Sequence, residues 1–511
     1  MAESIVMEIP KPFLLLLLLL PVLYFILKNL KHSKSPPLPP GPYPWPILGN
    51  LLQVLNNPLE TLTKLGQTYG PVFTIKLGCQ RVVGVSSPAA AIQILKTEDR
   101  LLAGRTVPHV LPAQNPELNS QYIGWAAEYA ESWKDLRTVC RTHIFSSKAI
   151  ESQARLREEK AMKMVTYIAS MEGKPVKIVS VTFAAVFDML SQIFLSVDLI
   201  NFEQEVVDGW LNRLFRDLVE MAVMPNISDF YPILSRFDIQ GLRKKIVKIH
   251  EKICSKWEGI IEERREKKRG DHADYNSEQQ DLLDALISNG SFSNAQIIVL
   301  LRELLLAGSD SSAATIEWIM VELIRSPRCM KIVQEELARE ISQGMVTESD
   351  LPKFPYLQAC FKETLRLHPP APLLIPRRAL ESCQVMNYTI PKDSKVQVNV
   401  WAIGRDPEYW KDPLVFKPER FLDSSLEFKG NDFEYLPFGS GRRMCPGMPM
   451  ASKQVPLVLA SLLHFFDWSL PYEQNPENLS MRAKYGLTLV KEEPLILIPK
   501  IKSILPHANE Q

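Results

Sequence analysis

The sequence has little that would mark a disulfide-bonded, zinc-binding or nucleic-acid-binding protein. Its seven cysteines are scattered through 511 residues, are odd in number and include no C-x-x-C pair, which argues against a disulfide framework or a zinc knuckle. The formal net charge is +1, so we expect no nucleic acid as a partner. No internal repeat divides the chain. Apolar residues at 46% and charged residues at 23% are typical of a globular protein.

An uncharged apolar run lies near the amino terminus. It covers Pro12 to Leu27, and Lys28, Lys31 and Lys34 follow it. With the apolar residues before it, the run is long enough for one tilted membrane span, and the lysines place that flank in the cytosol. A cleaved signal peptide is the alternative, but no A-x-A-like site follows the run. We therefore expect residues 1–34 to be a retained anchor and the rest of the chain to be cytosolic.

The remaining sequence predicts a mainly α protein with a smaller β-rich part. Seven prolines between Ser35 and Asn50 exclude a helix and indicate a stiff spacer, with a disordered linker as the alternative. Two β-branched runs, Gly70 to Gly78 and Arg81 to Ser87, predict a hairpin. Helical periodicity then continues to about Lys362, and proline-rich loops and short strands follow. We expect a hinge at 35–50 and a single domain at 51–511.

One cysteine, Cys445, stands in the loop LPFGSGRRMCPG, whose three glycines and two prolines disfavour a helix or strand. Adjacent arginines precede it, and an apolar helix predicted from about Met448 directs the positive end of its dipole at the sulfur. Positive neighbours and backbone N–H donors favour the thiolate, the form of cysteine that binds metals. An iron-binding cysteine fits these surroundings, and haem can be held by a single thiolate. A structural cysteine without a metal is the alternative.

Five positions of this loop resemble the haem-thiolate loop of the cytochrome P450 family. Phe438, Gly441, Arg443, Cys445 and Gly447 stand in the spacing F-x-x-G-x-R-x-C-x-G. The resemblance covers essentially the whole chain and implies the cytochrome P450 fold with an amino-terminal membrane anchor. It implies haem b as the cofactor and Cys445 as the proximal ligand of its iron. It also implies that Phe438 shields the sulfur and that Arg443 pairs with a haem propionate.

A second set of charged residues agrees with this resemblance. Glu363 and Arg366, in KETLR, are three positions apart and so share one face of a helix, where they can form an ion pair. Arg420, in FKPERF, is available to join them. The three residues resemble the E-x-x-R and P-E-R-F motifs of the family. We expect them to be structural and not catalytic, because a buried charge triad mainly fixes geometry.

Two further motifs imply contacts with haem propionates. Trp133 and Arg137, in WKDLR, are one helical turn apart and resemble the W-x-x-x-R of the family, whose side chains reach a propionate. Arg378, in IPRRA, occupies another position from which members of the family contact a propionate. A surface role is the alternative for both arginines.

The stretch LLLAGSDSSAATIEW, from Leu304 to Trp318, is an apolar helix interrupted by a glycine and four polar residues. It resembles the A-G-x-D-T-[TS] kink of the family, where oxygen and water lie over the iron. Asp310 and Ser311 fill the acid and hydroxyl positions, and we expect them to be the catalytic residues that relay protons. Serine replaces the usual threonine and lacks the methyl group that constrains the rotamer. A helix kink without a proton role is the alternative for Ser311.

The form of the chain resembles microsomal plant members of the family, and most closely an alkaloid group. That group includes N-methylcoclaurine 3'-hydroxylase, berbamunine and corytuberine synthases, which couple phenols, and littorine mutase. The resemblance implies a membrane enzyme of the endoplasmic reticulum that receives electrons from NADPH-cytochrome P450 reductase and hydroxylates carbon in a small alkaloid or aromatic amine.

Other reactions and other classes of protein stay open at this point. Phenol coupling and rearrangement of littorine would begin at the same iron centre. A membrane haem protein without turnover, or an oxygen-independent isomerase, would have no use for Asp310 and Ser311.

Overall fold

The structure is a computed structural model that describes residues 36–111, 122–202, 204, 210–269, 281–341, 344–471 and 474–502. The expected anchor at residues 1–34 lies outside the described residues. Residues 112–121, between Ala103 and Trp125, also lie outside the described residues. The described chain is mainly helical with several small sheets, which confirms the predicted fold class.

Helices of four to 32 residues make up the largest part of the described chain. The α-helices are α1 Leu51–Val54, α2 Pro58–Tyr69, α3 Pro88–Ile92, α4 Glu131–Cys140, α5 Ser147–Ser152, α6 Ala154–Ser170, α7 Ile178–Leu195, α8 Trp210–Val223, α9 Ile227–Phe230, α10 Leu242–Arg269, α11 Leu282–Asn289, α12 Asn294–Arg325, α13 Pro327–Glu340, α14 Pro355–Leu367, α15 Val400–Ile403 and α16 Met448–Phe465. Single π or 3-10 turns cover Gln93–Thr97, Arg141–Phe145, Pro232–Phe237, Leu351–Lys353, Pro418–Phe421, Gly441–Arg443 and Pro476–Asn478.

Short strands form the β-rich part. They are β1 Val72–Leu77, β2 Gln80–Val85, β3 Val176–Lys177, β4 Arg377–Arg378, β5 Cys383–Val385, β6 Tyr388–Ile390, β7 Lys395–Val398, β8 Phe466–Ser469, β9 Ala483–Lys484, β10 Val490–Lys491 and β11 Ile496–Ile501.

The main sheet contains the predicted hairpin. Its strand order is β1-β2-β7-β4, and β1 and β2 pair antiparallel with Val72 opposite Val85 and Leu77 opposite Gln80. Strand β7 joins β2 in parallel and carries β4 on its other edge. The other sheets have the orders β3-β11-β8, β10-β9 and β5-β6. The hairpin confirms the prediction made from the two β-branched runs.

The long helix α12 lies in the middle of the helical core. It begins at a capping box, in which Ser293 accepts from the Gln296 N–H and the Gln296 side chain bonds back to Ser293. It packs most extensively against α7 and also against α14 and α16. Helix α7 is long and apolar enough to cross a membrane, with mean hydropathy 1.9, but 83% of it is buried inside the protein. Such burial is typical of a core helix.

The proline-rich stretch is bonded to the body of the protein. The Thr74 N–H donates to Pro40 O at 2.7 Å, and the Thr389 N–H donates to Pro37 O at 2.9 Å. The Asn50 side chain accepts from the Lys76 N–H at 2.9 Å. Residues 36–50 therefore lie along β1 and β6 in this structure, and a hinge at this stretch stays a prediction.

Candidate functional site

The cysteine loop is held in shape by its own backbone. The Cys445 N–H donates to Phe438 O at 3.0 Å and closes the loop. Gly441 has φ +72°, and a Cβ atom there would lie 2.2 Å from Leu95 O, so this position requires glycine. Helix α16 begins at Met448, where the sequence predicted it, with Gly447 as its N-cap. Cys445 is thus fixed immediately before a helix amino terminus.

The side chain of Cys445 is solvent-accessible, although protein atoms surround it closely enough to desolvate the sulfur. Burial raises the pKa of the thiol, whereas the Gly447 N–H, the Arg137 charge and the Met448 N–H lower it. Backbone N–H groups aimed at the sulfur would stabilise a thiolate once a cation binds there.

Two arginines of the sequence motifs lie over the same indole ring. The Arg443 guanidinium carbon is 4.5 Å from the Trp133 ring centroid, and that of Arg137 is 5.2 Å away. Arg137 donates twice to Met444 O at 3.1 Å, next to the cysteine. The Trp133 N–H donates to Ile123 O at 2.9 Å, so the indole orients the arginines through its ring face.

Arg443 is bound to backbone carbonyls and not to a carboxylate. It donates to Ala103 O at 2.9 Å and to Ala126 O at 2.8 Å. Burial lowers its pKa to about 10, and the neighbouring charges of Arg377 and Arg137 act in the same direction. The guanidinium therefore brings to the site a positive charge that has no carboxylate bonded to it.

Two arginines that no motif indicated, Arg105 and Arg377, complete this group. Arg105 is 4% exposed and donates to Gly124 O at 2.9 Å, to Pro376 O at 3.0 Å and to Ile375 O. Burial lowers its pKa, as do the charges of Arg377 and Arg443. Its only sequence signal is an arginine in an apolar loop, which is too weak to assign a role.

Arg377 and Arg378 both reach this group from β4. Arg377 is buried and donates to Asp99 at 2.6 Å and to Ser440 O at 2.9 Å. Arg378, the residue named from the sequence, donates to Arg105 O at 3.1 Å and to Ala127 O at 3.4 Å, and it also binds Asp393 at 2.7 Å. Its contact with a haem propionate stays a prediction.

The residues present fit the haem that the resemblance implies. Among the described residues, no carboxylate forms an ion pair with Arg105, Arg137 or Arg443. Buried arginines are costly unless an anion pairs with them, so this group suits the two carboxylates of haem. Phe438 lies in the loop that holds the thiol. Its ring packs edge-on against the ring of Phe428, with 5.3 Å between the two ring centroids.

Two members of the charged triad, Glu363 and Arg366, are fully buried, and Arg420 is partly exposed. Arg366 binds both Glu363 oxygens at 2.8 Å, and Arg420 binds Glu363 at 2.9 Å. The Glu363 carboxylate also accepts from the Lys417 N–H at 2.8 Å, and Arg366 donates to Pro413 O at 2.7 Å. Glu363 and Arg366 have 0% side-chain exposure. The structure thus brings the three residues together where α14 meets the loop before residue 421.

Helix α12 is continuous through the polar stretch in which the sequence predicted an interruption. Its hydroxyls donate to carbonyls one turn earlier: Ser311 to Ala307 O at 2.6 Å and Ser312 to Gly308 O at 2.7 Å. Gln454 of α16 donates to Ser312 at 2.7 Å. The polar groups are therefore satisfied without breaking the helix, and Gln454 ties this stretch to the helix that begins beside the thiol.

Asp310 and Ser311 are adjacent, half-buried residues at the middle of this helix. The Ser311 hydroxyl uses its proton in the bond to Ala307 and keeps its lone pairs as acceptors. To relay a proton, the hydroxyl would accept a new proton on a lone pair and release the proton that it already carries.

Comparison with known proteins gives one family and several close relatives. The model of the family described as cytochrome P450 matches residues 39–498. A probable (S)-N-methylcoclaurine 3'-hydroxylase isozyme 2 of Coptis japonica is 45% identical over 94% of this chain and 96% of its own. The (S)-N-methylcoclaurine 3'-hydroxylase isozyme 1 of Papaver somniferum is 44% identical over 94% and 98%. Corytuberine synthase of Coptis japonica is 42% identical over 95% and 98%.

Proposed function

The chain belongs to the cytochrome P450 family of haem-thiolate monooxygenases, and we propose that it hydroxylates carbon in an amine-bearing aromatic substrate of the alkaloid type. The observation that carries this substrate class is the 44–45% identity, over 94% of the chain, to relatives named as N-methylcoclaurine 3'-hydroxylases. Family membership confirms the resemblance seen in the cysteine loop. It also establishes that the chain is an enzyme that acts on small molecules with a redox partner.

We assign the cofactor, haem b, to the space beside the cysteine loop. Cys445 would be the axial ligand, with its thiolate supported by the N–H groups of Gly447 and Met448. Arg443, Arg137 and Arg105 would receive the propionates, because their guanidiniums are bonded to carbonyls and not to carboxylates. Bound there, haem supplies the activation of O2 in which one oxygen atom enters the substrate and the other becomes water.

The chain's own part in this chemistry is to deliver protons on the side of α12. We propose that Asp310 takes protons from solvent and that Ser311 passes them on, through the acceptor lone pairs left by its bond to Ala307 O. The continuous helix fixes the spacing of the two groups. Gln454 holds the next hydroxyl, Ser312, and so limits rotation of the whole stretch.

Replacement of Ser311 by alanine is expected to lower product formed per NADPH and to raise hydrogen peroxide release. A proton relay contributes about 100- to 10,000-fold when fully used, although ordered water can replace part of it. The measurement is NADPH consumed, peroxide released and organic product formed. Ser309→Ala is the matched control, because Ser309 makes the same kind of bond, to Leu305 O at 2.6 Å, but is fully buried. Equal coupling in Ser311→Ala and wild type would assign Ser311 to helix structure alone.

Phenol coupling is the second candidate reaction. A relative named corytuberine synthase is 42% identical over 95% of the chain, and the alkaloid group counts such synthases among its coupling members. Nothing in the comparisons supports rearrangement of littorine or a haem protein without turnover. Coupling joins two phenol groups with loss of hydrogen, whereas hydroxylation adds one oxygen atom. The mass of the product therefore distinguishes the two reactions.

We propose that the domain also touches a membrane, in addition to the anchor expected at residues 1–34. Four large apolar side chains are strongly exposed: Trp45 at 73%, Ile47 at 80%, Ile233 at 84% and Phe237 at 73%. They belong to one surface, because the Tyr231 hydroxyl donates to Ile47 O at 3.2 Å. We call these four side chains the apolar patch. A surface cavity of about 430 Å³ beside it has two acidic lining residues, Asp238 and Glu251, and four basic ones: Arg236, Arg243, Lys244 and Lys248.

The apolar patch is expected to hold the domain on vesicles even without the anchor. A chain beginning at Ser35 should float with vesicles containing anionic lipid. Replacing all four patch residues by serine should reduce that binding by at least about tenfold, since each buried side chain contributes about 1.5–3 kcal/mol. Leu414→Ser is the control, because Leu414 is 74% exposed elsewhere on the surface. Unchanged flotation of the fourfold variant would remove the membrane role of the patch.

This membrane contact, with a cytosolic domain, agrees with a place in the endoplasmic reticulum and with NADPH-cytochrome P450 reductase as the electron donor. The proposed function is tested by expressing the chain with that reductase and offering N-methylcoclaurine, other benzylisoquinolines and tropane esters. Mass spectrometry should find a product heavier than its substrate by one oxygen atom. A dimer that has lost hydrogen would favour coupling, and no product from any amine would contradict the substrate class.

A further inference from the structure

Glu303 of α12 belongs to none of the motifs described above. Both of its carboxylate oxygens accept backbone hydrogen bonds, one from the Ile123 N–H at 2.7 Å and one from the Gly124 N–H at 2.8 Å. Burial raises its pKa, and these two N–H groups and nearby guanidiniums oppose that effect. One side chain thus fixes adjacent peptides about 180 positions away in the sequence. We call residues 122–127 the bridging segment.

The contact leaves no room for a side chain at position 124. A Cβ atom on Gly124 would lie 2.8 Å from the nearer oxygen of Glu303, closer than such atoms approach. Glycine therefore lets the peptide and the carboxylate meet. A methyl group here would displace the carboxylate without changing its charge.

The carbonyls of the bridging segment bind the site's cations. Ile123 O accepts from the Trp133 indole at 2.9 Å and from Arg443 at 3.3 Å. Gly124 O accepts from Arg105 at 2.9 Å. The N–H groups of this segment are thus held by a carboxylate, and its carbonyls hold the arginines. The Gly124 N–H and Ile123 O belong to one peptide, so bonding of that N–H to an anion strengthens Ile123 O as an acceptor.

We propose that Glu303 is a positioning residue for the cofactor: through the bridging segment it sets the guanidiniums of Arg105 and Arg443 against the carboxylates of haem. This inference rests on the proposed haem site. Glu303 touches neither the cofactor nor the reacting atoms in this role. Its charge also opposes the mutual repulsion of the arginines, since it favours the charged form of both.

The test is the rate at which haem leaves the loaded protein for an excess of apomyoglobin. Glu303→Gln keeps the shape of the side chain but offers one acceptor oxygen to two N–H donors. Haem loss is expected to become about 10- to 100-fold faster, as for other groups that orient a ligand indirectly. The reduction potential should also become more positive, because a negative charge near the iron is lost.

A matched control separates this role from general stability. Glu336 of α13 is buried and accepts from the Tyr356 and Leu357 N–H groups at 2.8 and 3.0 Å. Glu336→Gln should lose similar stability and release haem at the wild-type rate. Gly124→Ala should move the Glu303 carboxylate without changing its charge and should also accelerate haem release. This variant tests the proposal if Glu303→Gln does not yield folded protein.

Wild-type rates of haem release in both Glu303→Gln and Gly124→Ala would overturn the inference and leave the haem site intact. Acceleration by Glu336→Gln as large as by Glu303→Gln would overturn it as well, since the effect would then follow stability. If the wild-type chain itself binds no haem, the proposed function fails before this comparison begins.

Discussion

Replacement of Cys445 by alanine is expected to reduce monooxygenase turnover below detection. Alanine provides no anionic ligand for iron, and the Gly447 and Met448 N–H groups lose the sulfur at which they are aimed. The chain should still fold, because the Cys445 side chain is exposed and contributes little to the core. Turnover per folded protein, measured with reductase and an accepted substrate, checks this.

Cys329→Ala is the matched control for that experiment. Cys329 is a buried thiol of α13 whose pKa is raised by burial, as is that of Cys445, but it lies in the hydrophobic core. Its replacement should cost some packing energy and leave turnover per haem unchanged. Turnover in Cys445→Ala at the level of Cys329→Ala would contradict the assignment of Cys445 as the ligand.

Glu363→Ala is expected to produce the largest loss of stability. It removes the only carboxylate bound to Arg366 in the described chain and leaves two guanidiniums, those of Arg366 and Arg420, without a counter-charge. Breaking a buried pair from one side costs about 3–5 kcal/mol, a large share of the 5–15 kcal/mol that stabilises a typical domain. Little haem-loaded protein should accumulate. Haem content and denaturant unfolding are the measurements.

The control for Glu363 is an exposed ion pair. Glu335 lies 3.7 Å from Lys331 on α13, and both side chains are largely exposed. Glu335→Ala should change the free energy of unfolding by less than about 1 kcal/mol. Normal stability and haem content in Glu363→Ala, with turnover selectively lost, would show that Glu363 acts in the chemistry and not in the fold.

Features written in local sequence were predicted well. The β1–β2 hairpin and the start of α16 at Met448 follow from short patterns of β-branched and apolar residues. The contact of Glu363 with Arg366 follows from helical spacing alone. Membership of the family was likewise visible in the five positions around Cys445.

Features that depend on pairing between distant segments could not be predicted. The partners of Arg377 and Arg378 are set by the register of β4 against β7, and no local pattern specifies that register. Arg105 becomes a site residue only because its carbonyl partners come from positions 124, 375 and 376. Nothing in the local sequence distinguishes Glu303 from other helical glutamates, because its partners, the N–H groups of residues 123 and 124, are distant in the chain.

The polar stretch of α12 shows how tertiary contacts outweigh local preference. Glycine and serines weaken an isolated helix, and on that ground an interruption near Gly308 was expected. In the folded chain the hydroxyls bond to the helix's own carbonyls, and Gln454 donates to Ser312 from α16. The helix continues to Arg325 because its neighbours hold it.

The most direct test of the haem-thiolate assignment is the carbon monoxide difference spectrum of the reduced protein, recorded for wild type and Cys445→Ala. Wild type should give the red-shifted Soret band that thiolate ligation produces, and Cys445→Ala should not. The same thiolate-type band in both proteins would contradict the assignment of Cys445 as the ligand. Absence of the band from haem-loaded wild-type protein would contradict the haem-thiolate centre itself.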